Sequence, residues 1–190
     1  MSGYGIEDLV NILPIVFLLV WALVLVVVEA FTERRGLTLV LAGIGMFTAL
    51  VISLFEFGVE ATAFKEMLTV DGYAVFIYIL VLVSGLLSLG LAFDYNRRMG
   101  WARGEYYILM LFSIAGAMLM ASAANLIVVF LALELLSIPL YIMAAFVPND
   151  AASEEAGLKY FLLGAFAGGF VLYGVALIFG ATGATNLMDV

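Results

Sequence analysis

Six apolar runs divide the chain, separated by short stretches where Gly, Asn, Pro and charged residues collect. They cover residues 9–31, 37–57, 73–93, 105–122, 125–147 and 155–179. A hydrocarbon core about 30 Å thick needs about 20 residues of helix, so each run predicts a transmembrane helix. Pro14 lies near the start of the first run, where a missing N–H is tolerated. Little more than Ala123 and Ala124 separates the fourth and fifth runs, which predicts a tight antiparallel hairpin. The stretch 58–72 carries Glu60, Lys65, Glu66 and Asp71 and reads as a solvated connection. The pattern calls for no strand and no soluble domain, and it holds no internal repeat. The expected fold is an all-α integral membrane protein of about six transmembrane helices.

Composition agrees with the pattern. The chain is 66% hydrophobic, against roughly 45–50% for soluble domains. Its net charge of −8 argues against nucleic acid and leaves the lipid bilayer as the surrounding phase. With no Cys and no His, the chain has no ligands for iron–sulfur clusters, thiolate zinc or His-bound haem. No cofactor is implied in this chain. The start, MSGYGIED, has no basic residue and leads into a long apolar run, so the first run reads as a retained helix rather than a signal peptide. Arg34, Arg35, Arg97, Arg98, Arg103 and Lys159 fall on one side of the expected topology and only Lys65 on the other. The bias toward a basic cytoplasmic side puts the N-terminus, and the tail GATGATNLMDV, outside.

The fifth run contains LALELLSIPLYIM, with an acid, Glu134, near its centre. A charge at mid-bilayer costs about 2.5–3.5 kcal/mol on insertion scales, so such an acid faces protein or water and marks a functional site. Pro139 withdraws the hydrogen bond owed to the carbonyl of Leu135. Ser137 stands three residues after Glu134, on the same side of the helix. Carboxylate, freed carbonyl and hydroxyl are expected to form a small polar site that holds water and passes a proton. A static buried hydrogen bond to Glu134 is the plainer alternative.

The sixth run opens SEEAGLKYF. Ser153 is expected to cap it, with Glu154 and Glu155 at its positive end. Lys159 is either a second proton-relay residue or, more plainly, the partner of Glu155 four residues back. Its level is roughly 12 Å from that of Glu134 along the membrane normal, too far for contact. Gly164, Gly168 and Gly169 predict close helix packing. Glu29, Glu56, Asp94 and Glu105 lie near helix ends and read as interfacial charges.

The run NLIVVFLALELLSIPLYIMAAF followed by SEEAGLKYFLLGAFAGGFVLYGVALIFGATG resembles subunit N of NADH-quinone oxidoreductase, respiratory complex I. The likeness covers residues 101–185; the first three helices fit in number and hydropathy. ELLSIPLY and EAGLKYFLLGA are its more specific motifs. Related antiporter-like subunits, in this complex and in multisubunit cation/proton antiporters, usually carry Trp before the Glu and Asn-Arg-x-Gly-Asp after the Lys. Here Leu133 precedes Glu134 and no such stretch follows Lys159, which favours subunit N.

The resemblance implies that Glu134 belongs to a chain of buried ionisable residues through which quinone reduction drives proton translocation, with Lys159 of lesser weight. It implies that NAD, FMN, iron–sulfur clusters and quinone belong to other subunits. Other membrane subunits of complex I would be the partners, and a bacterial inner membrane the location. The family has about fourteen helices, with a lysine on a broken seventh that pairs with the glutamate. Six are present here, so this is expected to be the front part of a longer chain. Residues 1–104 would be an N-terminal three-helix region and 105–190 the start of the proton-conducting repeat. The readings set beside this one are a subunit of a cation/proton antiporter and a non-conducting membrane scaffold.

Overall fold

A computed structural model describes residues 5–31, 36–101 and 103–190. Arg34 and Arg35, which carry part of the orientation argument, lie outside the described residues. Seven helices and one β hairpin follow in the order α1 (Ile6–Val10), α2 (Leu13–Phe31), α3 (Leu37–Phe55), β1 (Ala61–Ala63), β2 (Leu68–Val70), α4 (Gly72–Met99), α5 (Gly104–Ser122), α6 (Leu126–Ala144) and α7 (Ala151–Thr182). Helices α2 to α7 are each long and apolar enough to cross a membrane.

The first apolar run is broken where a single helix is expected. Residues Asn11 and Ile12 form a turn, and α2 starts at Leu13 with Pro14 in its first turn, where no helical partner for an N–H exists. Ile15, Leu18, Ala22 and Leu25 recur at helical spacing and form the buried stripe of α2. At the start of α4, Asp71 Oδ1 accepts the N–H of Ala74 at 2.8 Å. Its end is set by Gly100 at φ 81°, a left-handed position that closes a helix. Asn125 caps α6, its side chain accepting the N–H of Ile127 at 2.9 Å. The cap of α7 is Asp150, which accepts from Ala152, and not Ser153. Ser153 instead donates to the carbonyl of Ala144 and accepts the N–H of Val147, joining the end of α6 to the start of α7.

Helix α5 is the hub. It packs against α2, α3, α4 and, most extensively, α6. The backbones of α5 and α6 meet at Gly116, where a Cβ would lie 2.7 Å from Leu136 Cα and 2.8 Å from Leu135 C. At the opposite end of the bundle from the hairpin, Glu29 of α2 accepts from the hydroxyl of Thr38 on α3 and from the N–H of Gly104 at the start of α5. One carboxylate thus ties three helices, where the sequence suggested only an interfacial charge.

The stretch 58–72 exposes Glu60, Lys65 and Glu66 but also folds into strands, which the sequence pattern did not call for. Ala61–Ala63 and Leu68–Val70 pair antiparallel, with Ala61 opposite Val70 and Ala63 opposite Leu68. Ala63, Leu68 and Val70 are buried against the bundle. Phe64, Lys65 and Glu66 turn the chain at positive φ, a region bulky residues seldom enter. Asp8 Oδ1 accepts the N–H of Phe64 at 2.9 Å, and Met67 gives its carbonyl to the N–H of Ala124 at 3.0 Å. Two strands of three residues are too short to register as a periodic pattern, and four charges on the stretch mask the apolar face. Residues 183–190 lie at the same end: Leu126 donates to Thr185, and Asn186 bridges Asn125.

Replacing Gly116 by Ala forces backbone rather than side chain to move. We expect Gly116→Ala to cost about 1–3 kcal/mol, read as a lower melting temperature in detergent. Gly90→Ala, where a Cβ meets nothing within 4 Å, is expected to be neutral or stabilising by up to about 1 kcal/mol.

Candidate functional site

Glu134 is the ninth residue of the 19-residue helix α6. At about 1.5 Å per residue it stands roughly 12 Å from one end and 15 Å from the other. Glu134 thus stands near the middle of its helix. The side chain is half-buried and faces α7: a Cβ on Gly168 would lie 2.7 Å from Glu134 Oε1. Among the described residues, Glu134 makes no hydrogen bond and no ion pair. The plainer alternative, a static buried hydrogen bond, is thus not formed within these residues.

The glycines of α7 create this seam. Gly157 lies against Ala145, where a Cβ would come 3.0 Å from Ala145 Cα. Gly164 receives the ring of Tyr141, and Gly168 receives Glu134. Eleven residues separate the first and last contacts on each helix, as two antiparallel helices in register require. Tyr141 also packs edge-to-face on Tyr160, at 4.7 Å between ring centres, and on Phe161. Gly169, grouped with the other two in the sequence, meets nothing. Gly157 and Gly116, which make close contacts, were not singled out, because a lone glycine in an apolar run carries no periodic signal.

Pro139 is buried inside α6, and the peptide link between Leu135 and Leu136 lies against Gly116 of α5. The place where the proline removes a hydrogen bond is thus covered by a neighbouring backbone. Ser137 does not join Glu134. Its buried hydroxyl donates to the carbonyl of Leu133, four residues back. Hydroxyls inside helices commonly turn back in this way, and side-chain spacing alone does not reveal it. The carboxylate, carbonyl and hydroxyl expected together are therefore neighbours on one helix and do not form a single hydrogen-bonded cluster.

Lys159 stands apart from Glu134. It is exposed and pairs with Glu155 one turn earlier. Nine residues of α7 separate it from Gly168, roughly 13 Å along the axis, in line with the gap expected from the sequence. Helix α7 itself rests chiefly on α6, and most of its side chains are exposed. The carboxylate thus sits at a seam whose outer wall is one helix thick. A group placed so can take up and release a proton where water or a second ionisable group reaches the seam.

Residues 123–190, which hold Glu134, Ser137, Pro139 and Lys159, match the family described as NADH:quinone oxidoreductase/Mrp antiporter, TM. NADH-quinone oxidoreductase subunit N 2 of Roseiflexus castenholzii is 46% identical over 88% of this chain and 34% of its own length. Subunit N of Chloroflexus aggregans is 42% identical over 96% of this chain and 38% of its own. Among solved structures, a chain of respiratory complex I from Thermus thermophilus superposes with a TM-score of 0.79. It has 33% identity and is matched over 92% of this chain and 38% of that one. A chain of an archaeal membrane-bound sulfane sulfur reductase shares the fold, with the same TM-score at 24% identity. The chain spans little more than a third of the length of the relatives it matches. Over most of its length the chain is homologous to NADH-quinone oxidoreductase subunit N, an antiporter-like membrane protein, and corresponds to about a third of such a subunit.

Proposed function

We propose that this chain serves proton translocation in the membrane part of a quinone-reducing respiratory complex, with Glu134 as its exchanging group. The observation that carries the reading is a mid-helix carboxylate at the glycine seam between α6 and α7, inside the segment that matches the family. An acid at that depth costs free energy, and intramembrane acids as a rule mark proton or ion pathways. The chain has no Cys or His to ligate an iron–sulfur cluster, and its likeness to subunit N implies that flavin, clusters, quinone and the NADH site belong to other subunits. Other membrane subunits of the same complex are the partners, and the inner membrane of a bacterium is the setting.

Within this reading Glu134 has a protein side and an open side. Gly168 closes one, and the exposed flank of α7 leaves the other to whatever packs there. Pro139 lowers the number of backbone bonds that must break for α6 to bend beside the acid. Lys159 is a second station, its positive charge now held by Glu155. A proton reaching Glu134 from that end crosses roughly 13 Å by water or by a further group. Residues 105–190 form the proton-conducting part and 1–104 the supporting helices. Cation/proton antiport is the second reading, favoured by one observation, that the matching family spans both kinds of subunit.

Glu134→Gln keeps shape and polarity but cannot titrate. In the assembled complex reconstituted in vesicles, we expect Glu134→Gln to abolish most proton uptake while the complex still purifies intact. Pumping at the wild-type rate would reject the relay. Sodium-driven rather than quinone-driven proton movement would favour antiport. Lys159→Gln is expected to lower pumping less than Glu134→Gln and to leave thermal stability within about 0.5 kcal/mol, since exposed i,i+4 pairs contribute little.

A further inference from the structure

The end of α3 carries another carboxyl, which the route through Glu134 does not use. Glu56 follows the last helical residue, Phe55, and its N–H donates to the carbonyl of Ile52 at 3.3 Å. Its side chain lines a cavity of about 390 Å³ between Asn11 at the α1–α2 turn, Ile52 of α3, and Ala61 and Val70 of the hairpin. Glu56 Oε2 is buried and has no hydrogen-bond partner.

Apart from Tyr78, the groups around it are already engaged or of the same sign. Asp8 of α1 is held by the N–H groups of Gly5 and Phe64, and Asn11 donates to the carbonyl of Thr62. Glu7 of α1, Glu60 before β1, and Lys65 and Glu66 in the hairpin turn are the other charged residues of these segments. Asp71, before α4, accepts from Ala74. Ser53 of α3 donates to Ala49, and Ser122 of α5 to Leu119. The hydroxyl of Tyr78 on α4 is buried without a partner of its own. No salt bridge reaches Glu56 among the described residues.

A carboxylate oxygen walled off from water with no donor is expensive in its charged form, whereas the neutral acid loses far less on burial. We propose that Glu56 is a proton-binding site at the hairpin end of the bundle. It holds a proton in the cavity under the hairpin and exchanges it with the water on that side. The site does not depend on the role of Glu134: one lies between α6 and α7, the other between α3, the α1–α2 turn and the hairpin. Burial pushes the Glu56 carboxyl up to about 7 from an ordinary 4.5, which puts the exchange in the neutral range.

Two measurements test it. The first is labelling of the full-length protein in liposomes with dicyclohexylcarbodiimide over a pH series, with adducts located by peptide mass spectrometry. The protonated acid adds across one C=N bond: its oxygen bonds to the central carbon and its proton moves to nitrogen, giving an acylisourea. The adduct at Glu56 is expected to halve near pH 7. Halving near 4.5, or no adduct at any pH, overturns the proposal. The second compares melting temperatures of the wild type and Glu56→Gln across pH. An acid with a raised native pKa makes the native state hold more protons than the unfolded chain. Its stabilising share is complete below about 4.5 and is lost as pH rises through about 7. The wild type should therefore lose ground to Glu56→Gln over that window, and a constant difference overturns the proposal.

Discussion

The close approach of α5 to α6 at Gly116 is the contact around which the bundle is arranged. In lipid no hydrophobic force separates one apolar helix from another, so association rests on van der Waals fit and on backbones coming near. Gly116 permits this at the one turn of α6 where Pro139 leaves the helix short of a hydrogen bond. Helix α5 then presents its other faces to α2, α3 and α4, and it is the most buried of the membrane-spanning helices. With α6 fixed on α5, its opposite face is left for α7, and that is the face on which Glu134 stands.

The six spans were legible because hydropathy in a membrane protein is a long signal, some twenty residues each, and tertiary packing seldom overrides it. The place of Glu134 near the middle of its helix and its separation from Lys159 were legible for the same reason: both follow from counting residues along straight helices. Short and local features were not. The break at Asn11 and Ile12, the three-residue strands and the return of the Ser137 hydroxyl to Leu133 depend on contacts with segments distant in sequence or on a rotamer choice. Ser153 reads as a cap, but Asp150 stands earlier and takes the position, releasing Ser153 to bind the end of α6.

Three acids near or within the spans meet three different fates. Glu29 is satisfied by two donors, Glu134 faces a glycine without a partner, and Glu56 buries one oxygen with no donor. Spacing from a helix end does not tell them apart. What does is whether a neighbouring helix start, a small residue or a folded connection happens to face them, and that is a property of the assembled bundle.

The Glu29 clamp also bears on how the protein is made. Its nearer donor, Thr38, emerges nine residues later, but the N–H of Gly104 lies 75 residues downstream. At a synthesis rate of about 5–20 residues per second, the two donors arrive about 3–13 s apart. During that interval α2 and α3 have the Glu29–Thr38 contact and the hydrogen bond from the Trp21 indole to the carbonyl of Leu41, and Glu29 lacks its second donor. The start of α5 brings that donor, so the three-helix clamp is complete only when the hub helix is in place.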